Sequence, residues 1–178
     1  ARAWRIRATE LELPDLVHTP TDHPPFPDTD SDLPSWSATA SGFIQSMDVR
    51  FAHGSWLTPG PAAMWGRLRV ALVADEPITG LQRLMTLADC GNGVSSALPA
   101  PEWVFINPDL TVHLSRYPVG EWLCIDAATT ADPSGFGVAT STLYDLDGRP
   151  PEPLAPRGHR LEVAERIGAD GGVVQALE

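Results

Sequence analysis

The chain has 178 residues, 43% of them apolar and 20% charged, with a formal net charge of -11 when histidine is neutral. This size suits one domain with room for a core, and the acidic balance argues against nonspecific nucleic-acid binding, which needs a basic patch. Two cysteines, Cys90 and Cys124, cannot build a disulfide framework and form no CxxC, and no apolar run reaches the length of a membrane span; no membrane contact and a reduced, cytoplasmic setting are the expectation.

The opening "ARAWRIRATE" is basic without an apolar run behind it, unlike a signal peptide. It lacks an initiator Met, as expected of a processed end or of a piece of a longer protein. Trp4, Ile6 and Ala8 alternate with Ala3, Arg5 and Arg7, the period of a half-buried strand within residues 1–13. Residues 14–36 are rich in Pro, Asp and Thr without periodicity and read as a linker. Phe43, Met47, Val49 and Phe51 nearly alternate and predict a strand over 42–54, followed by a turn centred on Pro59-Gly60. A second strand is expected over 63–75, with Arg67 and Arg69 on one side and Leu68, Val70 and Leu72 on the other. Thr79 is placed to cap a helix over about 80–90, whose stripe is Leu81, Leu84, Met85 and Ala88. Asp89 falls at the edge of that stripe. Gly91 and Gly93 normally end a helix, although "VSSAL" beyond them is able to continue one.

Three strands follow, over 102–118 with a bend at Asn107-Pro108, over 121–132 and over 135–148, joined by tight turns. The order predicts an α+β layer, an antiparallel sheet with one long helix across it. After Gly148 the prolines at 150, 151, 153 and 156 argue against a central strand. "RLEVAERIG" carries a weak helical pattern, so 150–178 is expected to be irregular or a poorly packed helix.

The five histidines, His18, His23, His53, His113 and His159, are scattered and predict no metal site. There is no phosphate-binding loop and no GxGxxG, so no cofactor is expected, and no GxSxG elbow. Cys90 follows Asp89, and a neighbouring carboxylate raises a thiol pKa, which makes it a poor nucleophile. The polar groups left are Asp89 on the helix and Asn107 at the strand bend. A carboxylate facing a carboxamide orients and deprotonates a water, which is a hydrolase without a covalent step. Gly91 and Gly93 permit close approach of a substrate carbonyl to backbone N–H groups. The alternative is structural: Asp89 caps a helix end and Asn107 fills a turn before Pro108.

"LQRLMTLADCGNGVSS", "FINPDLTVHLSRYPVGEWL" and "GFGVATSTLYDLDG", in that order, resemble the TesB-like acyl-CoA thioesterases of double-hotdog type over about residues 36–149. The resemblance implies a hotdog fold, an antiparallel sheet wrapped around a central helix. It implies that 1–13 closes a preceding hotdog unit, that 14–36 connects the two and that 37–149 is the second unit. It further implies hydrolysis of acyl-CoA to free acid and CoA, with Asp89 and Asn107 activating water and Gly91, Gly93, Arg116 and Trp65 binding substrate; on it Trp65, Trp103 and Trp122 line either an acyl tunnel or the core, and Arg67, Arg69, Arg83 and Arg116 are candidates for CoA phosphates. The family's third group, a Gln on the last strand, has no counterpart after Gly148, and Gln175 does not align with it. A non-catalytic acyl-CoA binder or degraded relative is therefore the competing expectation. An incomplete double hotdog is expected to pair with a second copy or another hotdog unit.

Overall fold

The computed structural model describes residues 24–32, 42–99, 103–114, 117–146 and 159–169; the expected strand in 1–13 lies outside them. The elements run α1 (Gly42–Gln45), β1 (Met47–Ser55), β2 (Thr58–Leu68), α2 (Gly80–Ala88), α3 (Gly91–Val94), β3 (Trp103–Val112), β4 (Leu123–Asp132), β5 (Phe136–Asp145) and β6 (His159–Ala169). The six strands form one sheet in the order β1-β2-β4-β5-β6-β3, and every neighbouring pair is antiparallel.

Period-two patterning gives the sheet two different faces. One carries Met47, Val49, Ala62, Met64, Leu123, Ile125, Ala127 and Leu143, and α2 packs on it through Leu84, Leu87 and Ala88. Leu84 is fully buried while Met85 is 40% exposed, so the buried stripe turns from the expected Leu81–Met85 edge toward Leu87. The helix has room because Gly66 on β2 has no side chain: a Cβ there would lie 2.9 Å from Leu87 Cδ1.

The start of α2 is fixed locally and by its neighbours. Thr79 and Gln82 form a reciprocal capping box, with Gln82 N–H donating to Thr79 Oγ1 at 3.2 Å and Thr79 N–H to Gln82 Oε1 at 2.8 Å. Arg83 donates to the Gly120 carbonyl at 3.1 Å, and a Cβ at Gly80 would collide with the Pro118 carbonyl. Buried Asp145, at the end of β5, accepts the Val119 N–H at 2.9 Å and so holds the same loop.

The other face carries Ala63, Trp65, Cys124 and Tyr144. Residues 24–32, expected as linker, lie across it. Trp65 Nε1 donates to the Pro25 carbonyl at 3.0 Å, and Phe26 meets Trp65 and Trp122 edge-on at 5.3 and 5.2 Å. The Arg50 guanidinium stands over the rings of Phe26 and Trp122 and bonds Asp30 at 2.7 Å. Ser31 closes the strap on β1, donating its N–H to Val49 O at 2.7 Å and accepting the Phe51 N–H at 2.8 Å. Composition reads such a segment as free because its attachments are long-range and made by single groups.

Three boundaries move. Residues 42–45 are helical, so the first strand begins at Met47. β2 ends at Leu68, leaving Val70, Leu72 and Val73 about half exposed rather than in a strand. β6 stands where an irregular or weakly helical tail is expected. Leu161, Val163 and Ile167 alternate with Arg160, Glu162 and Arg166, a period of two rather than 3.6. The prolines that argued against a strand all precede it and remove no ladder donor from it. Among the described residues no helix is long and apolar enough to cross a membrane.

Because Thr79 satisfies one of the four orphan N–H donors of α2, Thr79→Ala is expected to cost about 1 kcal/mol, read from the urea midpoint. Thr79→Ser should keep most of it.

Candidate active site

α2 ends at Ala88 with Asp89 as its C-cap, and after a turn at Asp89-Cys90 a separate short helix, α3, begins at Gly91. Asp89 has φ -73° and ψ -6°, and the turn continues through α3, with Val94 N–H donating to Cys90 O at 2.9 Å and Ser95 N–H to Gly91 O at 3.1 Å. The two glycines thus lie beyond the end of α2, inside α3. Gly91 has a packing reason: a Cβ there would meet Ser141 Oγ at 2.8 Å and Ala139 Cβ at 3.7 Å. Gly93 is exposed and faces open space. Ser95 pins the turn to the sheet, its hydroxyl bonding Gly91 O at 2.9 Å and Thr129 Oγ1 at 2.8 Å.

This seating carries Asp89 to β3. Asn107 Nδ2 donates to Asp89 Oδ1 at 3.3 Å and lies 3.5 Å from the Asp89 carbonyl. Asp89 is exposed and Asn107 half-buried, so a water can reach the acid. With its N–H₂ turned to Asp89, Asn107 has its Oδ1 free to accept from a water. Asn107 sits at a bulge: Ile106 pairs with Arg166 and Asp109 with Ala164, so Asn107 and Pro108 together oppose one residue of β6. Pro108 has no N–H to give the ladder, and that is why the break falls there.

Cys90 is buried against the same turn. Burial first, and the Asp89 carboxylate second, push its thiol up to about 12. Cys124 is shifted in the same direction by burial and by Asp126. Neither is a nucleophile at neutral pH. No three His, Cys, Asp or Glu of the described residues converge as metal ligands would.

The structure thus brings Asp89, Asn107 and Gly91 together and leaves Gly93 beside them. Trp65 is not with them: it lies fully buried on the opposite face, under Phe26 and Pro25. Period-two parity separates it from the helix, a distinction that its residue type alone does not carry. Arg116 lies outside the described residues. Arg67 bonds Asp48 at 2.8 Å and Arg69 stands 3.6 Å from it, so both belong to an ion-pair group at β1 and β2. Sequence reasoning missed Asn92 and Ser141. Both are buried around α3, and Asn92 Oδ1 and Ser141 Oγ have no hydrogen-bond partner. Nothing in the sequence flags them, because their burial depends on how α3 seats on β5.

An antiparallel sheet closing on one central helix, with an acid at the helix end facing a strand amide, defines an α+β protein of the hotdog class. Residues 20–150 match the family described as "Acyl-CoA thioesterase C-terminal domain", and the chain belongs to that family. The fold is similar to that of a thioesterase family protein from Silicibacter pomeroyi, at 18% identity and a TM-score of 0.53 over 75% of this chain and 94% of that one. It is also similar to the tesB protein of Mycobacterium avium subs paratuberculosis, at 13% identity and a TM-score of 0.51 over 88% of this chain and 56% of that one. No curated protein matches the chain.

Two outcomes follow from this geometry. Helix propensity alone favours Ala over Gly by about 1 kcal/mol, yet Gly91→Ala should lower stability because overpacking against Ser141 costs roughly 1–3 kcal/mol. Adding Ser141→Ala should recover part of the loss in urea unfolding; recovery of none would remove the contact as the cause. The second concerns pH. A thiol held protonated by folding contributes stability that is complete below its unfolded pKa near 9 and is lost as pH rises toward about 12. The chain contains no lysine, so few other groups titrate in that window. Wild type should lose stability between pH 9 and 12 more steeply than Cys90→Ala.

Proposed function

We propose that this chain hydrolyses acyl-CoA thioesters to free acid and CoA, with Asp89 as the general base. The observation that carries the reading is the Asn107 Nδ2–Asp89 Oδ1 bond at 3.3 Å on a solvent-reachable helix end. Asn107 fixes one oxygen of the carboxylate and leaves the other for a water. That water gives one proton to Asp89 as its oxygen bonds the thioester carbonyl carbon. The tetrahedral intermediate then collapses, the C–S bond breaks, and the departing sulfur takes the proton back from Asp89. Water is consumed, and an acid and a thiol are released. The exposed backbone at Gly93 offers close approach for the substrate.

Family membership supports the substrate class. The overlap with little more than half of the longer tesB chain supports a further reading, that this chain is one unit of a double-hotdog arrangement. On that reading it pairs with a copy of itself or with another hotdog unit. The presence of β6 removes one of the two reasons for regarding the chain as a degraded relative, the loss of the last strand.

The test is CoA release from acetyl-, octanoyl- and palmitoyl-CoA, followed by free-thiol detection. Asp89→Ala is expected to lower kcat by on the order of 10²–10⁴. Asn107→Ala should cost about 10-fold to 100-fold, as expected when a base keeps its chemistry and loses its aim. A folded wild type with no release above buffer, but saturable binding of an acyl-CoA, would instead establish a binding protein.

A further inference from the structure

Among the described residues, three buried side-chain polar atoms lack a hydrogen-bond partner: Trp56 Nε1, Asn92 Oδ1 and Ser141 Oγ. Trp56 stands apart in the β1–β2 turn, edge-on to Phe51 at 5.3 Å. The other two flank a single contact. Asn92 follows Gly91 in α3, and Ser141 lies beneath Gly91, its Oγ 2.8 Å from where a Cβ would stand. One atom comes from the helical turn and the other from the sheet.

Local geometry ties Asn92 to Asp89. Cys90 N–H donates to Leu87 O at 3.0 Å, three residues back, and Asp89 and Cys90 both keep right-handed helical dihedrals. A turn of three residues eclipses side chains three apart. Asp89 and Asn92 therefore lie on one side of it, about 5–6 Å apart at Cβ. Asp89 and Gly93 are exposed on either side of Asn92, which is itself only 7% exposed. Asn92 is thus a buried polar group just behind the exposed acid. A carboxamide oxygen accepts hydrogen bonds and gives none, and a buried one without a donor costs stability. An apolar side chain of that volume carries no such cost; a carboxamide there calls for a ligand that donates.

We infer that Asn92 and Ser141 hold the amide of the CoA arm nearest the sulfur and so position the thioester against Asp89. This rests on the hydrolytic reading above. In every CoA thioester the nitrogen of that amide lies four bonds from the reacting carbonyl carbon, a reach comparable with the spacing of Asp89 and Asn92. Its N–H and C=O point to opposite sides. The N–H donates to Asn92 Oδ1 from the helix side, and the carbonyl accepts from the Ser141 hydroxyl on the sheet side. A hydrocarbon acyl chain offers neither group, so the two atoms mark the CoA side of the site. Neither residue touches a reacting atom; both are positioning residues.

The experiment uses the octanoyl thioester of N-acetylcysteamine, which keeps this amide and little else of the CoA arm. Beside it stands the ketone analogue, in which CH₂ replaces the N–H. Thiol release is measured for wild type and Asn92→Leu. Thermal melting checks the fold, and it should not fall, because Leu removes an unpaired polar atom at similar volume. Wild type should favour the amide by on the order of 100-fold in kcat/KM, because the ketone leaves Asn92 unpaired. Asn92→Leu should bring the two substrates within about threefold of each other. Ser141→Ala should lower both alike by about 10-fold, since both keep the carbonyl; no loss on either overturns the role of the serine. Equal rates for the two substrates in wild type, or equal losses on both in Asn92→Leu, overturn the inference. Turnover that still depends on Asp89 then leaves the hydrolytic reading standing. If wild type releases no thiol, the matching S-octyl thioethers are compared by calorimetry. Tighter binding of the amide that disappears in Asn92→Leu upholds the inference and sinks the hydrolytic reading. Equal binding sinks both.

Discussion

The constraint on which the rest depends is how close the central helix comes to its sheet. Two glycines set the distance, Gly66 on β2 beneath Leu87 and Gly91 on the helix above Ser141. With side chains at either place the helix would have to rise or tilt. Lowered as it is, it buries Leu84, Leu87, Ala88 and Val94 in one cluster with five strands' worth of apolar neighbours. The same seating carries the end of the helix to the bend of β3, where Asp89 meets Asn107. Packing and chemistry share one cause: a contact chosen for burial also fixes the height of an acid that stays outside.

How far the sequence reveals this depends on the range of the interactions involved. Local signals are legible. Thr79 and Gln82 announce the helix start because a capping box is complete within four residues, and the alternation in β4 and β5 survives because tight turns leave their register no freedom. The pairing of Asp89 with Asn107 is also within reach, since Asp89 stands at the edge of the helix stripe and Asn107 precedes the proline that bends the strand. What fails is settled across the sheet. Gly91 reads only as a helix stop until Ser141 is known to lie beneath it. Trp65 reads as tunnel lining until Phe26 is known to cover the other face. β6 is hidden behind four prolines, and its own short alternation resembles a weak helix when it has no neighbours. Its place between β5 and β3 is decided by two partners, one ending at Asp145 and the other as far back as Val112.

The bend of β3 shows why a proline can be informative at the point where it breaks a rule. Pro108 gives no hydrogen bond to β6, and a two-against-one bulge absorbs the loss. A regular strand would place Asn107 in strict alternation with its neighbours, and the carboxamide would be one more cross-strand pair. The bulge frees it from that alternation, and the long reach from the sheet to the helix end becomes possible. Asn107 is half-buried while Asp89 stays exposed. On the proposed reading the less exposed amide aims the water and the exposed acid meets it. Reversing them, with a buried acid and an exposed amide, would desolvate the charge and leave the aim to a mobile side chain. On the proposed hydrolytic reading this order of burial suits the chemistry, because the acid that takes the proton is the group that solvent reaches.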